Sequence, residues 1–109
     1  MVVAIDFDDT LMNPHDKATG YRMGRPEKGA VMATQELVRM GHSIVIFTAR
    51  NVQDPAQKKA VADWLDFFKI PYHGITNIKQ PEFEVMVDNR GLRYEGDWAI
   101  TLHRLRGLL

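Results

Sequence analysis

Val2-Val3-Ala4-Ile5-Asp6-Phe7-Asp8-Asp9-Thr10 is the stretch on which the reading of the chain turns. Val2, Val3, Ala4, Ile5 and Phe7 form the apolar, β-branched run expected of a strand buried on both faces. The run ends in three carboxylates, Asp6, Asp8 and Asp9, followed by the hydroxyl of Thr10. Ligands of open α/β sheets bind outside the carboxyl ends of the strands, so an acidic strand end is a candidate site. Carboxylates this close repel one another unless a cation lies between them or one holds a proton. A divalent metal is the economical way to satisfy them. The competing reading is a solvated acidic turn.

Working outward, residues 11–27 hold turn formers without a clear period: Asn13-Pro14, Gly20, Gly24 and Pro26. This is a long loop beside the acidic strand end, with Lys17, Arg22, Arg25 and His15 against Asp16 and Glu27. It is expected to act as a flap facing a substrate. Glu27 to Met40 has helical spacing, with Ala30, Ala33, Leu37 and Met40 on one face and Gly41 placed to stop it. Ser43 to Thr48 is a second buried strand, ending in Thr48-Ala49-Arg50. Asp54-Pro55-Ala56-Gln57 is a helix start with a capping aspartate and proline at the first helical position. Ala60, Val61, Trp64, Leu65 and Phe68 line one face of that helix, and Pro71 prevents its continuation.

Tyr72 to Ile75 is a short extended piece, and Glu84 to Asp88 is a strand ending in Asp88-Asn89-Arg90. Leu92 to Glu95 suits a last short strand. Gly96-Asp97 caps a final helix in which Trp98, Leu102, Leu105 and Leu109 share a face. Strands alternating with helices predict a doubly wound, mainly parallel sheet with helices on both faces, in one domain spanning 1–109. The carboxyl ends of its strands then gather Asp6, Asp8, Thr10, Thr48, Arg50, Asp88 and Asn89 on one edge, with Lys79 ahead of the fourth strand. Carboxylates for a cation, with hydroxyl and ammonium groups for an anion, are what a phosphate ester beside Mg²⁺ requires. No glycine-rich nucleotide loop accompanies them.

Composition narrows the alternatives. The chain of 109 residues is large enough for one core, and its 45% apolar and 26% charged residues are those of an ordinary globular domain. Fourteen basic residues balance fourteen acidic ones, so no global field points to nucleic acid or an anionic membrane. The absence of cysteine removes thiolate metal sites and cysteine nucleophiles. His15, His42, His73 and His103 lack ligand spacing. No apolar run has the length of a signal peptide or membrane span, so the expected location is cytoplasmic.

On these motifs the chain resembles the haloacid dehalogenase superfamily, as a small capless (C0-type) phosphatase-like protein with a Rossmann-like sheet. The family's Asp-x-Asp-x-Thr motif is matched by Asp6-Phe7-Asp8-Asp9-Thr10, and its strand-end Thr or Ser by Thr48. Its lysine is matched by Lys79 and its final acid by Asp88. The resemblance implies a Mg²⁺-dependent phosphomonoester hydrolase acting through an aspartyl-phosphate. Asp6 would be the nucleophile and Asp8 the general acid and base. Thr48 and Lys79 would bind the phosphoryl group, with Asp9, Thr10, Ala49 and Arg50 contributing to substrate contacts. Asp6, Asp8 (through its carbonyl), Asp88 and Asn89 would hold the metal.

Two positions depart from the family pattern: Asp9 stands where glycine is common, its N–H expected to face phosphate, and Asn89 stands where a second acid is usual. A capless site implies a large substrate or a homo-oligomer whose neighbour closes the pocket. The Asp-Asn-Arg run and basic flap also resemble phosphatase domains acting on nucleic-acid ends, which the zero net charge does not favour. A catalytically weak binding module of the same fold is the remaining alternative. A receiver-like phospho-acceptor domain is disfavoured by motif order, since no Asp ends the third strand and the Lys precedes the last Asp.

Overall fold

The computed structural model describes residues 1–13, 23–88, 92, 93 and 96–108. Its elements are β1 (Val2–Asp6), α1 (Ala30–Arg39), β2 (Ser43–Phe47), α2 (Pro55–Phe67), β3 (Gly74–Thr76), β4 (Val85–Asp88), β5 (Leu92–Arg93) and α3 (Trp98–Leu108). The strands form one sheet in the order β3-β2-β1-β4-β5, and every pairing is parallel. The chain winds outward from β1 through β2 to β3, then crosses back to β4 on the far side of β1. The order therefore reverses beside β1, and the crevice outside its carboxyl end is where such sheets take ligands.

Register determines which residues face the core. Val3 pairs with Ile44 and Val85, and Ile5 with Ile46 and Val87. Side chains alternate along a strand, so these residues and Phe7 share one face. All but Val85 are fully buried in the principal core, and Val85 packs against it. Ala30, Ala33 and Leu37 of α1, Val61, Trp64 and Leu65 of α2, and Trp98 and Leu105 of α3 complete that core. The parallel α/β, Rossmann-like class stands as expected, but the layering differs. All three described helices pack on this face rather than on both. Ala4 is buried outside this core, and its face-mates Val45, Phe47 and Met86 are half-buried. The physical reason is the β3–β4 crossover, which runs through 77–84 without a helix among the described residues.

Local chemistry places the helix ends. α1 begins at Ala30 rather than Glu27 because Gly29 precedes it in a left-handed conformation, φ 82°. A Cβ there would lie 2.9 Å from the Trp98 Cβ, so glycine lets α3 approach. α1 ends with Gly41 at φ 95°, the His42 N–H donating to the Leu37 carbonyl and the Gly41 N–H to that of Val38. α2 ends in the same way, but with Lys69 at φ 58° in the glycine position and Ile70 N–H donating to Leu65 O. Asp54 caps α2 by accepting from the Ala56 N–H at 3.0 Å, and Asp97 caps α3 by accepting from the Ala99 N–H at 2.8 Å. The last strand is described over Leu92–Arg93, and Tyr94 and Glu95, to which it was expected to reach, lie outside the described residues. Leu109 lies outside the described residues.

Candidate active site

β1 runs on past its last strand residue. The Phe7 N–H donates to Phe47 O, and the Phe7 carbonyl then accepts from Leu11 and Met12, and at 3.5 Å from Thr10. This tight turn throws Asp8 and Asp9 outward at the carboxyl edge of the sheet. Asp9 has φ 64°, a region open to glycine and tolerated by Asp and Asn. That conformation is a physical reason for glycine to be common here. The Asp9 N–H donates to Met12 O at 2.9 Å, so it does not face a ligand as expected. Thr10 is buried, its carbonyl accepts from the Trp98 indole at 2.9 Å, and its hydroxyl has no partner among the described residues. It supports the turn from within.

The base of the 11–27 loop is stitched on both sides. Asn13 N–H donates to Arg25 O, Glu27 N–H to Leu11 O, and the Trp64 indole to Gly24 O at 2.8 Å. Both tryptophans are core residues, as their helical spacing implied, and each also fastens a loop beside the site. Residues 14–22, on which the flap expectation mainly rests, lie outside the described residues.

Asp6 and Asp88 end adjacent strands one step beyond the Ile5–Val87 pair. Their Cα atoms are therefore on the order of 5 Å apart, with both side chains leaving on the face opposite the helices. Burial pushes the Asp6 carboxyl up from 3.8 to about 6. The neighbouring Phe7 amide lowers it, and the charges of Asp8, Asp88 and Asp9 raise it further. No cation enters that balance among the described residues. Burial also raises the Glu27 carboxyl, with Asp9 adding to it. Among the described residues the edge thus carries surplus negative charge. Among the described residues, no three His, Cys, Asp or Glu side chains form a group that would hold a metal ion.

Arg50 answers part of that charge. Its Nη2 donates to Asp8 Oδ1 at 2.8 Å and its Nε to Asp8 Oδ2 at 3.2 Å, a two-pronged pair. Its guanidinium carbon lies 5.6 Å from the centroid of the buried Phe7 ring. The Arg50 N–H donates to the Thr48 hydroxyl at 3.1 Å. Thr48 itself is fully buried, and its N–H donates to Thr76 O. Ala49, between them, is exposed. The sequence offered Arg50 only as a substrate contact. Its pairing with Asp8, 42 positions away, carries no sequence signal.

Lys79 is exposed on the 77–84 crossover, three residues beyond β3, and is not among the groups acting on Asp6. Lys69, the other lysine near that position in sequence, closes α2 ahead of β3 and so lies toward the opposite edge of the sheet. The structure thus gathers Asp6, Asp8, Asp88, Thr48 and Arg50 at one edge and leaves Lys79 outside their contacts. Asn89 lies outside the described residues.

Solved structures share this architecture. The chain resembles a conserved protein from Bacteroides thetaiotaomicron with a TM-score of 0.76 and 17% identity, over 100% of this chain and 92% of that one. It also resembles a target protein from Vibrio cholerae with a TM-score of 0.58 and 19% identity, over 95% of this chain and 98% of that one. Likeness at these identities establishes the fold alone. No family model and no curated protein matches the chain. No described helix is long and apolar enough to cross a membrane.

Proposed function

We propose that this chain is a phosphomonoester hydrolase of the haloacid dehalogenase type, requiring Mg²⁺ and using Asp6 as its nucleophile. One observation carries the reading: Asp6 ends the central strand at the point where strand order reverses, half-buried beside Asp88 and with no cation acting on it among the described residues. Hard oxygen donors with excess negative charge suit Mg²⁺, which takes few protein carboxylates and keeps several waters. Asp6, Asp88 and the Asp8 carbonyl are the groups that would hold it. When bound, the metal neutralises charge on the phosphoryl oxygens.

In the proposed first step an Asp6 oxygen forms a bond to phosphorus as the bond to the leaving oxygen breaks. Asp8 gives that oxygen a proton. In the second step Asp8 removes a proton from water, which attacks the same phosphorus and releases Asp6. For either transfer one Asp8 oxygen must turn toward the reacting oxygen while the other keeps its bond to the Arg50 guanidinium, so the pair narrows to a single contact when substrate enters. Thr48 is oriented by Arg50 N–H, and its own hydroxyl hydrogen has no acceptor among the described residues. Lys79 would bind the phosphoryl group from the crossover that carries it.

Release of inorganic phosphate from p-nitrophenyl phosphate tests the reading, with and without Mg²⁺, in wild type and Asp6→Asn. Magnesium-dependent turnover lost in Asp6→Asn is the expected result. Equal turnover in both proteins removes Asp6 as nucleophile. No turnover in either, with Mg²⁺ still bound, favours the binding-module reading.

A further inference from the structure

Arg50 uses only part of its hydrogen-bonding capacity. A guanidinium has five N–H donors in a planar fork. Asp8 takes the Nε hydrogen and one on Nη2. The two on Nη1 and the second on Nη2 meet no described residue, and the side chain keeps 28% of its surface open. The fork is nonetheless held in place. Asp8 fixes one edge, Phe7 lies under the plane, and the backbone N–H is tied to buried Thr48. A long, rotamer-rich side chain held this way loses little further freedom when it binds a ligand.

We propose that Arg50 is a specificity-determining residue: Asp8 and Phe7 hold its free Nη1–Nη2 edge ready for a second anionic group on the substrate. The inference rests on the phosphatase reading, since the metal must first neutralise Asp6 and Asp88 before another anion is welcome at this edge. Asp8 follows Asp6 by two residues, about 7 Å along an extended chain. A substrate that presents phosphorus to Asp6 therefore meets Arg50 with a group only a few bonds from the ester. The substrate class is a phosphomonoester whose leaving group bears its own carboxylate or phosphate. A simple alkyl phosphate lacks the group that Arg50 recognises. A planar carboxylate and a phosphate both match the fork.

Non-hydrolysable ligands separate this idea from turnover. Calorimetric titration in Mg²⁺ compares 3-phosphonopropionate, which carries a carboxylate, with propylphosphonate, which does not. A parallel pair, propane-1,3-bisphosphonate against propylphosphonate, tests a second phosphate-type group. Wild type should prefer at least one two-anion ligand by about tenfold or more, the scale of a charge-assisted hydrogen-bond pair. Arg50→Gln should bring that ratio close to one. Arg50→Lys, which keeps the charge without the fork, should retain only part of it, and Lys79→Gln should leave it intact.

No preference in wild type would overturn the proposal. So would a preference that survives Arg50→Gln or disappears in Lys79→Gln. Failure of the two ideas is distinguishable: a ratio of one with intact aryl phosphate turnover overturns the role of Arg50 alone. A retained ratio without turnover of either the aryl phosphate or a phosphomonoester bearing a second anion overturns the phosphatase alone.

Discussion

Asp6 is held in a state that works against the fold, and replacing it should make the metal-free protein more stable. Its carboxyl rises from 3.8 to about 6, about two pH units. At roughly 1.4 kcal/mol per unit the full linkage would be about 3 kcal/mol. Solvent reaches this half-buried group, and screening reduces the figure to roughly 1–2 kcal/mol. The sign follows from which state binds the proton more tightly. Below pH 3.8 the carboxyl is neutral both folded and unfolded, and nothing is lost. As pH rises from 3.8 to 6 the unfolded chain ionises first, so stability falls, and above about 6 the loss is complete.

Asp6→Asn removes that slope. In EDTA its advantage over wild type should grow from little near pH 4 to roughly 1–2 kcal/mol at pH 8, several degrees in Tm for a domain of this size. Urea unfolding across that range measures it, and any constant offset from the amide cancels in the pH dependence. A flat difference, or one that widens as pH falls, would refute the account of Asp6. Adding Mg²⁺ at pH 8 should stabilise wild type more than the variant.

Other perturbations follow from particular contacts. Asp8→Asn and Arg50→Gln together should show a coupling of about 1 kcal/mol in a double-mutant cycle followed by denaturant unfolding, because the pair is only partly buried. Gly29→Ala puts a Cβ against the Trp98 Cβ and demands a left-handed alanine, so it should cost about 2–3 kcal/mol in thermal unfolding. Lys69→Gly relieves a left-handed lysine at an exposed helix end and should raise stability by up to about 1 kcal/mol in the same assay. Trp64→Phe keeps the ring packing but drops the bond to Gly24 O, and should cost about 1 kcal/mol in urea.

How much of this was legible depended on range along the chain. Apolar runs at 2–7 and 43–47 and the capping signals Asp54-Pro55 and Gly96-Asp97 are local, and the elements they imply are present. The parallel order that joins Asp6 to Asp88 follows from the alternation of strands and helices under the right-handed crossover rule. The helix layering was not legible, because a continuous apolar strand reads the same whether helices or a bare crossover cover its second face. Asp9 shows in the sequence only as a departure from glycine, because its left-handed backbone is set by three N–H groups converging on the Phe7 carbonyl. The Arg50–Asp8 pair needed two strand ends to meet. Lys79 shows the reverse limit, since order in sequence named it while the described geometry leaves it apart from Asp6.

The alternation along the strands also separates what can be varied from what cannot. Val3, Ile5, Ile44, Ile46 and Val87 hold up the helices, while Asp6 and Asp88 look the other way, onto the face that no described helix covers. Scaffold and chemistry thus occupy alternate letters of the same words. Libraries randomised at Asp6, Phe47, Met86 and Asp88 would explore new reactivity with the interior untouched. Longer inserts between Asn77 and Pro81 would grow a roof over that face without asking any helix to move.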